Sequence, residues 1–309
     1  MTATTAGLAD LIRRVPALGL IGNTPLLEIN VLQNRFPNLS LRAKAEWINP
    51  GGSIKDRPVL NMLARVIEDD NLGGRRVLDS TSGNSGIAYA MIGAALGIPV
   101  TLVIPGNASQ ERLRRIRAHG AEVILTDPLL GYDEAMRHCH RLAHDHEDKY
   151  LLVDQYSNAA NWHAHYNGTA LEILRQGGGD ATHFISGVGT GGTLTGIARR
   201  LKEHNPALKV VLMQPEEFPG IEGLKPLKNP DDIRPVNFHE HLVDDRVEVT
   251  IEEAFEHSRL LAQNGIFVGQ SAGANIAAAA KIAAREPEAR IVTLLPDTGE
   301  RYYSTGLWD

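Results

Sequence analysis

Arg75 to Gly97 reads RRVLDSTSGNSGIAYAMIGAALG. RRVLDS is a short β-favouring run, and IAYAMIGAALG is long and apolar enough for a buried helix. Between them lie six small residues, Thr81-Ser82-Gly83-Asn84-Ser85-Gly86, a strand-to-helix turn. The same alternation continues outward. PVTLVIP, AEVILTD and YLLVDQY read as strands, separated by the helix SQERLRRIRAHG and a polar helix from Tyr132 to Asp145. ATHFISGV, KVVLMQP and ARIVTLLP continue the strands. LTGIARRLKEHN, IEEAFEHSRLLAQNG and an apolar stretch near Ala274 to Ala284 continue the helices. Short strands between longer helices predict an α/β fold, with parallel-rich sheets carrying helices on both faces. A chain of 309 residues exceeds one usual core. We expect a smaller α/β lobe at 44–152, inserted into a larger one built from 1–43 and 153–309.

Composition narrows the function. With 43% hydrophobic and 22% charged residues the chain is ordinary for a globular protein. A net charge of −6 gives no reason to expect nucleic acid or an anionic membrane as partner. Cys139 is the only cysteine, so no intrachain disulfide can form and a reducing compartment fits. The N-terminus lacks the pattern of a secretory signal, and the apolar tracts are cut by Gly and Pro. The expected location is cytoplasmic. His138, Cys139, His140, His144 and His146 cluster, but their spacing matches no usual zinc pattern, so no metal is expected.

Three glycine-rich turns and one lysine carry the chemistry. In NPGGSIKDRP, Asn49 to Pro58, a Pro-Gly-Gly turn follows the expected strand Leu41 to Ile48 and precedes helical spacing at Val59, Leu60, Leu63, Val66 and Ile67. Asp56 suits the N-cap, with Pro58 in the first turn. Lys55 therefore stands at the loop–helix junction, where the positive helix end disfavours an ammonium and favours a nucleophilic amine. The turn Thr81 to Gly86 aims backbone N–H groups at one point, as a carboxylate or phosphate requires. Gly187-Val188-Gly189-Thr190-Gly191-Gly192-Thr193 repeats that arrangement. It matches G-x-G-x-x-G, and Glu216 lies near the end of the next strand, so a dinucleotide-binding dehydrogenase stays open. The hydroxyls of Thr190 and Thr193 favour a terminal phosphate instead. A third turn, Gly269 to Gly273, places Ser271 either as a helix cap or as a donor to a ring nitrogen.

Taken together, IGNTPLLEI, NPGGSIKDR, TSGNSGIAYAM, DQYSNAANWHAHYNGTALEI, GVGTGGTLTGIARRL, GQSAGA and GERYYSTGLW resemble the fold-type II pyridoxal-phosphate enzymes, nearly end to end. The match is to the cysteine synthase and cystathionine β-synthase family, closest in look to cysteine synthase B. The resemblance implies pyridoxal 5′-phosphate as cofactor, with Lys55 as its Schiff-base lysine and the catalytic residue. It implies that Asn84 bonds the cofactor 3′-oxygen, that Gly189, Thr190, Gly191, Gly192 and Thr193 cradle its phosphate, and that Ser271 faces the pyridine nitrogen. Thr81, Ser82, Ser85 and Gln155 would hold the substrate α-carboxylate; the family usually has Thr where this chain has Ser85.

The implied reaction is β-replacement through an α-aminoacrylate. It would make L-cysteine from an activated serine, O-acetyl-L-serine being preferred, and sulfide. Alternatives are O-phosphoserine as donor, a cystathionine β-synthase acting on serine and homocysteine, threonine dehydratase, and an inactive relative serving as a binding module. The chain ends at Asp309, without the regulatory domain pair of many β-synthases. Glu222 replaces an arginine common in thiosulfate users, and Lys225 or Lys228 is the alternative anion contact. Small-molecule partners and a homodimer are implied.

Overall fold

The structure is a computed structural model describing residues 5–81, 83–229, 232 and 234–309. By contact, the chain divides into two units, 1–22 with 55–161 and 23–54 with 162–309.

The first unit is built on four parallel strands: β3 (Arg76–Ser80), β4 (Val100–Pro105), β5 (Glu122–Thr126) and β6 (Tyr150–Leu152), in the order β5-β4-β3-β6. Its helices are α1 (Thr5–Arg14), α2 (Asp56–Glu68), α3 (Asn84–Leu96), α4 (Gln110–Ala118) and α5 (Gly131–Asp145). All six residues of β4 are buried, as expected of a strand covered on both faces. One core joins Leu63, Val77, Ile87, Ile92, Leu102 and Ile116; a smaller one packs Leu78 and Val103 against Ala135 and Cys139 of α5.

The second unit has six strands: β1 (Leu26–Glu28), β2 (Ser40–Ala45), β7 (His183–Ser186), β8 (Lys209–Pro215), β9 (Asp245–Val249) and β10 (Arg290–Leu295). Their order is β1-β2-β10-β7-β8-β9, and only the β1–β2 pair is antiparallel. Its helical segments are α6 (Ala160–Ala164), a π-helical turn (His165–Thr169), α7 (Ala170–Arg175), α8 (Gly192–His204), α9 (Ile251–Gln263) and α10 (Gln270–Arg285). α6 begins two residues before the division. Gly273 lets α10 lie against α9, since a Cβ there would sit 2.0 Å from the Ala254 carbonyl.

A buried ion pair fixes β2 to α7. Lys44, wholly buried, donates from Nζ to Glu172 Oε2 at 2.6 Å, to Gln176 Oε1 at 3.1 Å and to the Thr24 carbonyl. Glu172 Oε1 accepts the Asn23 N–H at 3.0 Å. Thr24 Oγ1 donates to Glu46 Oε1 at 2.7 Å, and the other Glu46 oxygen accepts from Asn49 Nδ2 at 2.9 Å. IGNTP and the loop beginning at Asn49 thus share one polar network.

Trp47, Trp162 and Trp308 belong to the second unit, and Cys139 is buried in the first. Among the described residues no helix is long and apolar enough to cross a membrane.

Candidate functional site

The loop before Lys55 is held within the second unit. Ile54 N–H donates to the Pro296 carbonyl at 2.8 Å, Ser53 bridges Asp297, and Arg301 donates to the Gly51 carbonyl. Gly52 takes φ +76°, the left-handed region glycine accommodates without strain. Helix α2 starts at Asp56, so Lys55 rather than Asp56 occupies the N-cap place, and no side chain caps the helix. Pro58 falls in the first turn, where its missing N–H costs no intrahelical bond. The Lys55 carbonyl accepts the Val59 N–H at 3.2 Å. The lysine is therefore the last residue before the helix, the place the sequence reading gave to Asp56.

In the first unit, the asparagine loop runs from β3 into α3. Thr81 Oγ1 accepts the N–H groups of Gly83 (3.0 Å) and Gly86 (3.1 Å), which folds the loop back on itself. Asn84 opens α3; its N-cap residue, Gly83, has no side chain to offer, and Thr81 Oγ1 serves the third N–H of the helix instead. A Cβ on Gly83 would lie 2.4 Å from Arg112 Cδ, and its φ is +157°, so the turn requires glycine. Ser82 lies outside the described residues. Ser85 Oγ donates to Gln155 Oε1 at 2.6 Å, and Gln155 Nε2 donates to the Ser80 carbonyl at 2.6 Å. The structure thus brings Thr81, Ser85 and Gln155 together.

The loop has a support the sequence reading passed over. Asp79, 2% exposed, accepts at Oδ1 from Ser80 N–H (2.8 Å) and at Oδ2 from Gln155 N–H (3.1 Å) and Tyr89 O–H (2.5 Å). Asn161 Nδ2 donates to the Gln155 carbonyl at 2.7 Å. Tyr132 Oη lies 3.1 Å from Ser80 Oγ. Burial pushes the Asp79 carboxyl up to about 7, against the lowering effect of these three donors. An acid inside an otherwise buried strand was the available signal.

In the second unit, the glycine–threonine loop runs from β7 into α8. Gly191 N-caps α8 with φ +85° and no side-chain cap. A Cβ there would lie 2.6 Å from the Phe238 backbone nitrogen, and one on Gly189 would lie 2.4 Å from the Gly223 carbonyl. Lys225 N–H donates to the Val188 carbonyl at 2.8 Å, so segment 221–225 backs the loop. Thr193 Oγ1 lies 3.2 Å from Nε2 of the buried His165, whose Nδ1 lies 3.0 Å from Thr169 Oγ1. His165 and Thr169 bound the π-helical turn, and the sequence reading missed both. Glu216 Oε1 accepts the Ile251 N–H at 2.6 Å and so serves the start of α9 instead of a ribose.

Ser271 is the second residue of α10 and does not cap it; Gly269 holds the N-cap place. The Ser271 side chain is buried and makes no hydrogen bond among the described residues. A Cβ on Gly269 would lie 2.2 Å from the Tyr302 ring, so glycine is required for α10 to start there.

These features fit a phosphate-bearing pyridine. A glycine loop too tight for any Cβ leads into an uncapped helix N-terminus with hydroxyls beside it, which suits a dianion. A buried serine with its donor uncommitted suits a ring nitrogen. A family model described as "Pyridoxal-phosphate dependent enzyme" matches residues 17–297. The chain belongs to the pyridoxal-phosphate-dependent enzymes. The cofactor of this family is pyridoxal 5′-phosphate, and its fold-type II architecture is the one seen here. The chain is 45% identical to the cysteine synthase of Aquifex aeolicus over 304 residues, covering 96% of this chain and 92% of that one. A crystal structure of O-ureido-L-serine synthase superposes with a TM-score of 0.86 at 36% identity, covering 95% of this chain and 94% of the other. That of the O-acetylserine dependent cystathionine beta-synthase from Helicobacter pylori superposes with a TM-score of 0.85 at 34% identity, covering 95% and 98%.

Proposed function

We propose that this pyridoxal-phosphate-dependent enzyme is a cysteine synthase, replacing the acetoxy group of O-acetyl-L-serine with sulfide. The observation that carries the reading is the place of Lys55: a lysine ending a loop pinned on both sides, at the uncapped start of α2. The cofactor, when bound, supplies a carbonyl for amines and a conjugated ring that takes up electron density from Cα. Lys55 supplies the amine that anchors it, and the same Nζ removes the substrate Cα proton and later returns one. Gly189 to Thr193 hold the phosphate, Ser271 donates to the ring nitrogen, and Asn84 orients the ring through its 3′-oxygen. A neutral serine does not favour a protonated ring, so elimination at Cβ is preferred over transamination.

His165 adds a directional element to the phosphate cradle. If its Nδ1 accepts from Thr169 and its Nε2–H donates to Thr193 Oγ1, the Thr193 hydroxyl proton is left to donate to the anion. Thr81, Ser82, Ser85 and Gln155 form the substrate-carboxylate cradle; Thr81 contributes by folding the loop.

The donor assignment rests on Lys228. Its Nζ lies 2.9 Å from Glu248 Oε1, a pairing that commits one of the two lysines either of which could serve a phosphoserine clamp. Glu222, in the same segment, would repel a phosphate dianion. A second acceptor, homocysteine, is kept in view by the likeness to the Helicobacter pylori enzyme. Absence of intrachain disulfides suits a cytoplasmic enzyme. A homodimer follows the family resemblance.

The test combines two measurements. Lys55→Ala should abolish turnover and the absorbance band of the lysine Schiff base while retaining weak cofactor binding. Catalytic efficiency in the wild type should rank O-acetylserine with sulfide above O-phosphoserine with sulfide and above serine with homocysteine. A phosphoserine preference lost in Lys225→Ala or Lys228→Ala would reverse the donor assignment, and faster serine–homocysteine turnover would reverse the acceptor.

A further inference from the structure

We propose that Asp79, Tyr89 and Met62 form a proton-operated latch that sets how firmly the asparagine loop is held, and hence how tightly the enzyme grips the substrate α-carboxylate. The inference rests on the reading of that loop as the carboxylate cradle.

Asp79 ties together two backbone positions far apart in sequence. Its Oδ1 holds the Ser80 N–H where β3 ends, and its Oδ2 holds the Gln155 N–H. Both residues belong to the cradle: the Ser80 carbonyl accepts from the Gln155 side chain, which in turn accepts from Ser85. Substrate does not reach Asp79; it acts through these two residues. Three donors meet the carboxyl, and it takes part in no ion pair among the described residues.

A carboxylate surrounded only by donors has nowhere to place an added proton unless a donor can reverse. Tyr89 can. Its hydroxyl lies 2.5 Å from Asp79 Oδ2 and 3.9 Å from Met62 Sδ, within reach of a weak hydrogen bond to sulfur. When Asp79 takes up one proton from solvent, Oδ2–H donates to Tyr89 Oη and the Tyr89 hydroxyl turns to Met62 Sδ. No heavy atom need move. The Ser80 and Gln155 N–H groups then bond a neutral acid instead of an anion, and those bonds weaken.

The titration falls where it matters. Burial raises the Asp79 carboxyl to about 7; Asp154 adds to the rise, while Tyr89, Ser80 and Gln155 oppose it. The other titratable groups facing it are Tyr132 and Cys139 of α5, and Tyr156. Burial pushes all three well up, so they stay neutral across this range. Above the midpoint the latch is closed by charge; below it the cradle loosens.

Two measurements on the holoenzyme test this between pH 5.5 and 8.5. The first is the dissociation constant of L-alanine, an α-carboxylate with no leaving group, read from the cofactor absorbance. The second is hydrogen exchange at the Ser80 and Gln155 amides, corrected for intrinsic rate. Asp79→Asn should weaken L-alanine about tenfold at pH 8 and scarcely at pH 5.5. It should also erase the neutral step in amide protection. Tyr89→Phe removes a donor to the anion and should move that step to higher pH; because it keeps the carboxyl, it carries the test if Asp79→Asn fails to fold. A weakening by Asp79→Asn that is constant with pH, or a step unmoved in Tyr89→Phe, overturns the latch. If amide protection steps as expected but L-alanine affinity does not follow, the carboxylate-cradle reading fails, and the affinity half of the proposal with it.

Discussion

Asp79 also has a consequence for folding. Its carboxyl titrates near 7 in the native protein and near 3.8 when the chain is unfolded. Between those values the folded state holds a proton the unfolded state has lost. Its contribution to stability is therefore fully present below pH 3.8 and is lost as pH rises through 7. About three pH units at 1.36 kcal/mol each give roughly 4 kcal/mol as an upper figure. The difference in unfolding free energy between wild type and Asp79→Asn should shrink by that order from pH 4 to pH 7.5 in denaturant titrations. A difference independent of pH would contradict the assignment. The residues read from sequence, Lys55, Gly189, Gly191 and Ser271, share a property Asp79 lacks. Each sits in or just beyond a glycine-rich stretch whose local composition announces it, whereas Asp79 and His165 take their meaning from partners such as Gln155 and Thr193, 76 and 28 positions away. An acid in RVLDS or a histidine in NWHAHYNGT carries no local sign of its partner.

Among the elements, the alternation of strands and helices was legible because β4, β8 and β10 are nearly continuous apolar runs, the mark of strands covered on both faces. The exact boundaries were less so. The expected strand Leu41 to Ile48 ends at Ala45 and turns into a 3₁₀ segment over Glu46–Ile48, since Glu46 faces inward to meet Thr24 and Asn49. The π-helical turn had no sequence signal; Gly196 of α8 presses against it, and a Cβ there would lie 2.8 Å from both His165 Cβ and the Tyr166 nitrogen. The bond between β2 and α7 through Lys44 and Glu172 yields a prediction. Lys44→Met leaves a buried carboxylate without its cation and should cost about 3–5 kcal/mol of stability. Replacing both residues, as Lys44→Met with Glu172→Leu, should cost clearly less than Lys44→Met alone. Equal costs in chemical denaturation would mean that the buried charge is not what the single variant suffers from.

At the scale of the whole molecule, each unit has its own sheet and its own buried clusters. Cooperative unfolding therefore need not be a single event. Leu78→Ala, which empties part of the core behind α5, should cost about 2–5 kcal/mol in the first unit. Gly273→Val should separate α10 from α9 and weaken the second. Each variant should shift the transition of its own unit more than that of the other; equal shifts would show one cooperative block. The distribution of side chains supplies the instruments. Every tryptophan reports on residues 23–54 and 162–309, and the sole thiol, buried and held neutral by its surroundings, reports on the other unit. Indole emission and thiol-labelling rate are thus two independent clocks, installed without any engineered label, that time the melting of each half of the chain in one cuvette.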